Sequence, residues 1–162
     1  MHTVTVTRQM SHSPKRVWTL LADFANTYVY HPIVAESAST NNQDTGLGAA
    51  RYCQMYDGNR VEEKIVDWDP AARRYLVQVT EHGPFPLTHM TAEVRVEAQG
   101  DGSQVSYHFE FTPKFGPMGW VMAKLALEKG FTKLGDQLLE GIDQHLSTGR
   151  LIEQDGALGA AA

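Results

Sequence analysis

The segment at residues 48–68, GAARYCQMYDGNRVEEKIVDW, decides the fold. Apolar and polar side chains alternate along its two halves, residues 48–56 and 60–68, which is the period of strands with one buried face. Between the halves stands an Asp-Gly-Asn triplet at residues 57–59, a combination that favours a tight hairpin turn. The segment therefore predicts two antiparallel strands joined by a short loop.

The same alternation recurs on both sides of this hairpin. Five more strands are predicted, at residues 3–10, 33–40, 73–81, 87–98 and 104–113. Short runs rich in Gly, Pro, Asp and Asn separate most of them, and such tight turns join antiparallel neighbours. The chain therefore predicts a seven-stranded antiparallel meander.

Helical spacing appears at two places in the chain. Ser13 and Pro14 form an N-cap and first-turn pair ahead of a short helix, and a second short helical turn is predicted over residues 26–32. Near the C-terminus, residues 118–146 have an apolar side chain at every third or fourth position, which predicts a long amphipathic helix. The members of this stripe are Trp120, Ala123, Leu127, Phe131, Leu134, Leu138 and Ile142.

The long helix is the only predicted element able to cover one face of the sheet. We therefore predict an α+β fold in which a curved seven-stranded sheet wraps around the C-terminal helix, with two short helices between the first two strands. Residues 1–148 form one domain in this prediction, a size typical of a single hydrophobic core. Residues 149–162 show no periodicity and are expected to form a flexible tail.

Composition disfavours several classes of partner. The 162 residues are 42% hydrophobic and carry a net charge of −5 without a basic run, which argues against nucleic acid and anionic membrane surfaces. No stretch is long and apolar enough for stable membrane insertion. Cys53 is the only cysteine, so no intrachain disulfide can form, and the N-terminus alternates rather than being continuously apolar. We therefore expect a reducing, cytoplasmic location, while the oligomeric state stays unknown.

Several short motifs occur in a characteristic order. They are SPKRVWTLLADF at residues 13–24, HPIVAES at 31–37, GLGAARY at 46–52, YDGNRVEEKIVDWD at 56–69, Pro86 with the strand after it, and the long last helix. In this order and spacing, residues 2–147 resemble the START-like, or SRPBCC, superfamily of helix-grip proteins, and within it the polyketide cyclase/dehydrase and lipid-transport branch. The resemblance implies a cavity for a hydrophobic molecule, such as a lipid or a polyketide. We predict no cofactor. The superfamily includes both binding proteins and enzymes, so the resemblance does not decide between these two functions.

Strand alternation predicts which side chains face such a cavity. The inward set is apolar except for Arg51, Glu63 and the hydroxyls of Tyr75 and Tyr107. With residues 57–59 as the hairpin loop, Cys53, a small core residue, lies opposite Glu63, and Arg51 lies diagonal to Glu63. Two interpretations of the Arg51–Glu63 pair are open: a buried ion pair that only fixes the sheet, or a polar anchor for a ligand.

The resemblance extends to the plant hormone receptors of the superfamily. It implies that Glu63 stands where a Glu helps bind ligand in those receptors, whereas Val34 stands where they have an inward Lys. It also implies that residues 56–60 and 82–86 correspond to their gate and latch loops. His82 is then either an acid–base group at the rim of the cavity or a plain exposed loop residue.

The predicted ligand contacts combine the inward side chains with the middle of the last helix and the latch loop. They are Arg51, Cys53, Met55, Glu63, Tyr75, Val77, His82, Met90, Ala92, Tyr107, Phe109, Leu127, Gly130 and Phe131. For an enzyme, the catalytic candidates are Glu63, Arg51, Tyr107 and His82. No histidines have the i, i+4 spacing of a helical metal site and no Cys-x-x-Cys occurs, so no metal site is predicted.

The last helix leaves further alternatives open. Gly130, Gly135 and Gly141 interrupt it, which indicates either close approach of another backbone or open space. Ahead of it, the apolar segment 115–120 is predicted to be a loop that acts as a lid, docks weakly on a membrane or packs against the sheet. The functional hypotheses are a carrier of a hydrophobic molecule, a polyketide cyclase or dehydratase, and a non-catalytic protein that recruits a partner when ligand binds.

Overall fold

The computed structural model describes residues 1–114 and 116–162, without the side chains of residues 122 and 123. The elements in chain order are β1 (His2–Met10), α1 (Pro14–Ala22), a 3₁₀ helix (Phe24–Val29), β2 (Val34–Ser39), β3 (Ala50–Met55), β4 (Arg60–Asp69), β5 (Arg74–Glu81), β6 (Leu87–Gln99), β7 (Gly102–Pro113), α2 (Gly116–Thr148), β8 (Arg150–Ile152), a second 3₁₀ turn (Gln154–Gly156) and β9 (Leu158–Ala161). Strands β1 to β7 form one antiparallel sheet in the order β1-β7-β6-β5-β4-β3-β2. The predicted α+β helix-grip architecture is confirmed.

The main core lies between the sheet and α2. Val6 and Phe109 from the sheet belong to one buried cluster with Leu138 and Ile142 from the helix, and none of the four is more than 5% exposed. Gly135 lets the helix settle on β1 and β7, because a β-carbon there would collide with the side chain of Val6. The packing therefore depends on a small residue where the helix crosses the sheet.

The β3–β4 hairpin loop is displaced by one residue from its predicted position. Met55 N–H donates to Asn59 O at 2.8 Å, so the loop consists of Tyr56, Asp57 and Gly58 rather than residues 57–59. Gly58 has a φ of +89°, the left-handed conformation that ends this type of three-residue loop and that glycine adopts without strain. As a result Arg51 lies directly opposite Glu63, and Cys53 lies opposite Val61. The predicted diagonal relationship is wrong.

The start of α2 also differs from the prediction. Residues 116–120 are helical and belong to the first turns of α2, so the predicted loop at 115–120 is wrong over that part. Phe115 and the side chain of Ala123, which the sequence places in the loop and in the apolar stripe, lie outside the described residues. Trp120 is 46% exposed, so this stripe residue is not part of the buried core.

The C-terminal residues form a second small sheet instead of the expected flexible tail. Strands β8 and β9 pair antiparallel around a turn in which Asp155 and Gly156 both have positive φ, as a type I′ turn requires. Ile152 is only 1% exposed, and Asp155 N–H donates to Pro32 O at 3.1 Å. The expectation of an irregular tail is wrong because buried apolar surface and backbone hydrogen bonds fix this segment. We call residues 150–161 the C-terminal hairpin.

Candidate ligand cavity

A cavity lies between the sheet and α2, and the free space open to the centres of water molecules in it is about 80 Å³. Of the predicted ligand contacts, the cavity wall contains Arg51, Cys53, Met55, Glu63, Tyr75, Val77, Met90, Ala92, Tyr107, Phe109 and Phe131. The wall is mostly apolar, as is typical of sites for hydrophobic molecules. Because side chains on one face of a strand repeat every second residue, the sequence pattern is sufficient to place these residues together.

Other residues on the cavity wall were not among the predicted ligand contacts. They are Thr27, His31, Ile33, Val34, Val61, Val79, Phe85, Val94, Leu134 and Leu138. The valines of β4, β5 and β6 share a face with predicted contacts, so strand alternation already contained the signal for them. Thr27 and His31 lie between α1 and β2, in a segment without a simple period that would show which side chains point inward.

Arg51 and Glu63 form the polar centre of the cavity. Glu63 Oε2 accepts a hydrogen bond from Arg51 Nε at 2.7 Å and forms an ion pair with Nη2 at 2.6 Å, and the side chains of Arg51 and Glu63 are 10% and 18% exposed. Arg51 Nη1 also donates to Phe24 O at 2.6 Å, and the guanidinium lies 3.9 Å from the centroid of the Phe24 ring. Burial is the largest single influence and disfavours the charged guanidinium, but Glu63 acts together with Cys53, Tyr30 and Tyr75, and the pKa of Arg51 lies above its ordinary value. The pair therefore carries both charges into the cavity wall.

The hydroxyl and thiol groups beside this pair are held in their neutral forms. Tyr75 donates a hydrogen bond to Leu21 O at 3.2 Å, and burial raises the pKa of Tyr75 and of Tyr107 above the ordinary value. Burial also raises the pKa of Cys53 to about 12, although Arg51 opposes that shift. These groups can donate hydrogen bonds near neutral pH, but they do not ionise there.

His31 brings an imidazole to the same part of the cavity. It is half-buried by accessible surface, yet burial lowers its pKa to about 3, and the Arg51 cation adds to that shift. The sequence interpretation placed this residue in the turn that ends at Pro32 and gave it no role in ligand binding. Its position follows from a backbone that is hydrogen-bonded on both sides, since His31 N–H donates to Thr27 O at 3.1 Å and Val34 N–H donates to His31 O at 3.2 Å.

A second, more open hollow adjoins the cavity. It shares Ile33, Phe85, Phe131 and Leu134 with the cavity wall and adds Leu127 and Gly130, two of the predicted contacts. These two residues therefore line the adjoining hollow rather than the cavity wall. Nothing in this hollow is charged.

His82, the remaining predicted contact, is not among the residues that line the cavity or the hollow. It lies in the loop between β5 and β6, its Nε2 has no hydrogen-bond partner among the described residues, and burial with nearby Lys114 lowers its pKa. Its prediction as a ligand contact does not fit this placement, because the loop directs Phe85 rather than His82 to the cavity.

Two other kinds of site receive no support from the described part of the chain. Residues 1–114 and 116–162 contain no group of three or more His, Cys, Asp or Glu side chains placed to hold a metal ion. Within the same residues, no helix is long and apolar enough to cross a membrane.

Comparisons with known structures give the same fold. XoxI from Bacillus cereus shares 21% identity with a TM-score of 0.77, and the match covers 91% of this chain and 97% of that one. The Zhui aromatase/cyclase from Streptomyces sp. R1128 shares 17% identity over 91% and 94% of the two chains, with a TM-score of 0.76. Norcoclaurine synthase from Thalictrum flavum shares 15% identity over 91% and 87%, with a TM-score of 0.70.

The sequence comparisons identify the family. No curated protein sequence matches the chain. The profile of the family described as polyketide cyclase/dehydrase and lipid transport matches residues 1–147 and ends just before the C-terminal hairpin. The sheet-and-helix architecture, its cavity and this match agree, and the chain belongs to the polyketide cyclase/dehydrase and lipid-transport family.

Proposed function

We propose that this protein binds a small hydrophobic molecule in the cavity between the sheet and α2, as a carrier or sensor. The observation that carries the proposal is an apolar cavity whose polar groups cluster around one ion pair, Arg51–Glu63. A hydrophobic ligand gains free energy from the apolar wall, and a few fixed polar groups orient it. A reducing, cytoplasmic location, inferred from the lone Cys53, stays a prediction.

The ion pair keeps hydrogen-bonding capacity that a ligand can use. The hydrogen bond from Arg51 Nε and the ion-pair contact of Nη2 both reach Glu63 Oε2, while Oε1 accepts no hydrogen bond from the described residues. A ligand hydroxyl or amine is therefore expected to donate to Oε1. This favours the polar-anchor interpretation of the pair over a purely structural one, because a buried pair that only fixes the sheet gains from satisfying both carboxylate oxygens.

The size of the cavity limits the ligand. About 80 Å³ of free space suits a small ring system, whereas pockets for drug-sized ligands are typically about 300–1,000 Å³. A longer lipid or polyketide would extend past Phe85 and Phe131 into the adjoining hollow. We therefore expect compact ligands to bind most readily.

Native mass spectrometry of the purified protein, with extraction and identification of anything retained, tests this proposal. A panel of compact hydrophobic ligands is then scored by the thermal shift they cause, in wild type and in Arg51→Met. Arg95→Met is the matched control, since Arg95 pairs with Glu93 on the opposite face of the sheet. We expect Arg51→Met to weaken binding about tenfold or more while Arg95→Met leaves it unchanged. Absence of any retained molecule and of any thermal shift would contradict the proposal.

A polyketide cyclase or dehydratase is the second candidate. One observation favours it: the unengaged Glu63 Oε1 lies beside a cation that would stabilise an enolate. Against it, acid–base catalysis works best with a pKa near the working pH, and the pKa values of His31, Cys53, Tyr75 and Tyr107 are all moved away from neutrality. If wild type cyclises a linear poly-β-ketone and Glu63→Gln does not, the protein is an enzyme and the carrier proposal is wrong.

A further inference from the structure

His31 is held in the cavity wall by two elements that the sequence pattern does not connect to it. On one side, the carbonyl oxygen of Tyr30 sits against Gly141 of α2, where a β-carbon would collide with it. On the other side, Pro32 O accepts the hydrogen bond from Asp155 N–H of the C-terminal hairpin. The helix and the hairpin thus fix the residues on both flanks of His31, so its ring is preorganised at the cavity.

One hydrogen bond indicates which nitrogen of the imidazole carries the proton. Ile33 N–H donates to His31 Nδ1 at 3.4 Å. A neutral imidazole that accepts at Nδ1 has its proton on Nε2, the nitrogen at the far end of the ring from the backbone. Nε2 makes no hydrogen bond to the described residues, so it is a donor without a protein acceptor on the cavity wall.

Burial and a neighbouring positive charge keep this ring neutral. Burial lowers the pKa of His31 to about 3, and the Arg51 cation on β3 acts in the same direction because it opposes a second positive charge. The other ionisable groups around Arg51 are Glu63 on β4, whose carboxylate is bound to Arg51, the thiol of Cys53 on β3, and the buried hydroxyls of Tyr30 and of Tyr75 on β5. Because Arg51 and Glu63 cancel in charge, the site has no net charge to attract an anionic ligand.

We propose that His31 is a specificity-determining residue: its Nε2–H donates a hydrogen bond to a carbonyl oxygen, so the protein selects uncharged ring compounds that carry a ketone. This inference rests on the proposed binding function and names its ligand class. A ketone oxygen accepts hydrogen bonds and brings no charge, which matches a neutral donor beside a compensated ion pair. A carboxylate would place an unpaired charge next to Glu63, and a hydrocarbon would leave the imidazole N–H unsatisfied.

The matched probes are 1-indanone and indane, which differ by one carbonyl group and are of a size for a compact cavity. Their dissociation constants are measured by protein NMR for wild type, His31→Phe and His31→Gln. Wild type is expected to bind 1-indanone about fivefold to tenfold tighter than indane, the range for one net hydrogen bond. His31→Phe keeps a ring and should lose this preference, because it weakens the binding of 1-indanone and leaves the binding of indane unchanged. His31→Gln keeps an N–H donor and should retain most of it.

A measurement on unsubstituted protein keeps the inference falsifiable where a variant fails to fold. The ¹⁵N shifts of the His31 ring are expected to show a proton on Nε2 at every pH from 5 to 8, and a proton on Nδ1 or an imidazolium would overturn the inference. Equal affinity of wild type for both probes, unchanged in His31→Phe, would also overturn it while leaving the binding function intact. If neither probe binds and no ligand of the panel causes a thermal shift, the proposed function is wrong and this inference is wrong with it.

Discussion

A β-carbon on Gly141 would collide with the carbonyl oxygen of Tyr30. The contact joins the last third of α2 to the segment that leads into β2, and it is backbone to backbone, so neither partner can swing aside as a flexible side chain would. Gly130 presents the opposite case, since, apart from its own neighbouring helix backbone, no atom of the described residues lies within 4 Å of a β-carbon placed there. Both sequence interpretations of the helix glycines, close approach and open space, thus occur in one helix.

Replacing these two glycines by alanine should shift stability in opposite directions. Gly141→Ala is expected to destabilise the protein by about 2–3 kcal/mol, because the helix must move away from Tyr30. Gly130→Ala is expected to stabilise it by up to about 1 kcal/mol, because alanine has the higher helix propensity and meets nothing. Urea unfolding of both variants measures the difference. Equal effects at the two positions would show that the helix does not press on Tyr30.

Arg51 should be more costly to remove alone than together with its partner. Arg51→Met is expected to destabilise the protein by about 2–4 kcal/mol, because it leaves the Glu63 carboxylate poorly solvated and without a cation. Adding Glu63→Leu should restore at least half of that loss, since the unpaired charge disappears. A double-mutant cycle in urea gives the coupling. Additive losses would indicate that each side chain acts independently of the other.

Periodicity explains which parts of the site the sequence could predict. Arg51, Glu63 and the inward tyrosines were placed correctly on one face because burial on a sheet repeats every second residue. The loop was predicted one residue too late, so the pairing register was wrong by two residues, because an Asp-Gly-Asn triplet allows two hairpin loops and only the backbone shows that Gly58 takes the left-handed position. His31 was missed because its orientation depends on Gly141 and Asp155, more than 100 residues away in sequence.

The C-terminal hairpin shows a different limit. Its Asp155-Gly156 pair is a turn signal of the same kind as the one used for the β3–β4 hairpin. The strands on either side are only three and four residues long, too short for an alternation to be recognised. Docking on Pro32 and on α2 supplies the stability that so short a hairpin lacks alone.

Two aliphatic side chains of equal size but different exposure can test whether the C-terminal hairpin packs on the rest of the protein. Ile152 is 1% exposed and Leu158 is 40% exposed. Ile152→Ala is therefore expected to cost about 2 kcal/mol, whereas Leu158→Ala should change stability by less than about 0.5 kcal/mol. Chemical denaturation measures both. A negligible effect of Ile152→Ala would support the flexible tail that the sequence suggested.

Cys53 should be nearly inert toward thiol reagents in the folded protein. It is 3% exposed, and burial raises its pKa to about 12, so almost no thiolate is present at pH 8. We expect labelling about 100-fold slower or more than for the unfolded chain. Thr40→Cys, in the exposed turn after β2, supplies a second thiol as an internal control. Similar labelling rates for the two thiols would mean that the cavity opens readily.

The depressed pKa of His31 predicts a loss of stability in mild acid. The folded protein binds this proton only near pH 3, whereas the unfolded chain binds it near the ordinary value of 6.5. Between these values the unfolded state holds more protons, so stability is fully present above about pH 6.5 and falls as the pH drops toward 3. The two pKa values imply that His31 lowers the unfolding free energy by about 1 kcal/mol when the pH falls from 7 to 5.5.

His31→Gln isolates this contribution, because glutamine has the hydrogen-bonding groups of a neutral imidazole but does not titrate. His82 also has a lowered pKa and adds to the slope in the same direction, but it is present in both proteins and cancels in the comparison. When the pH is lowered from 7 to 5.5, the unfolding free energy of wild type should therefore fall by about 1 kcal/mol more than that of His31→Gln. A difference that stays constant would mean that the imidazole is protonated as easily in the cavity as in water, and the neutral donor proposed for the ligand carbonyl would not exist.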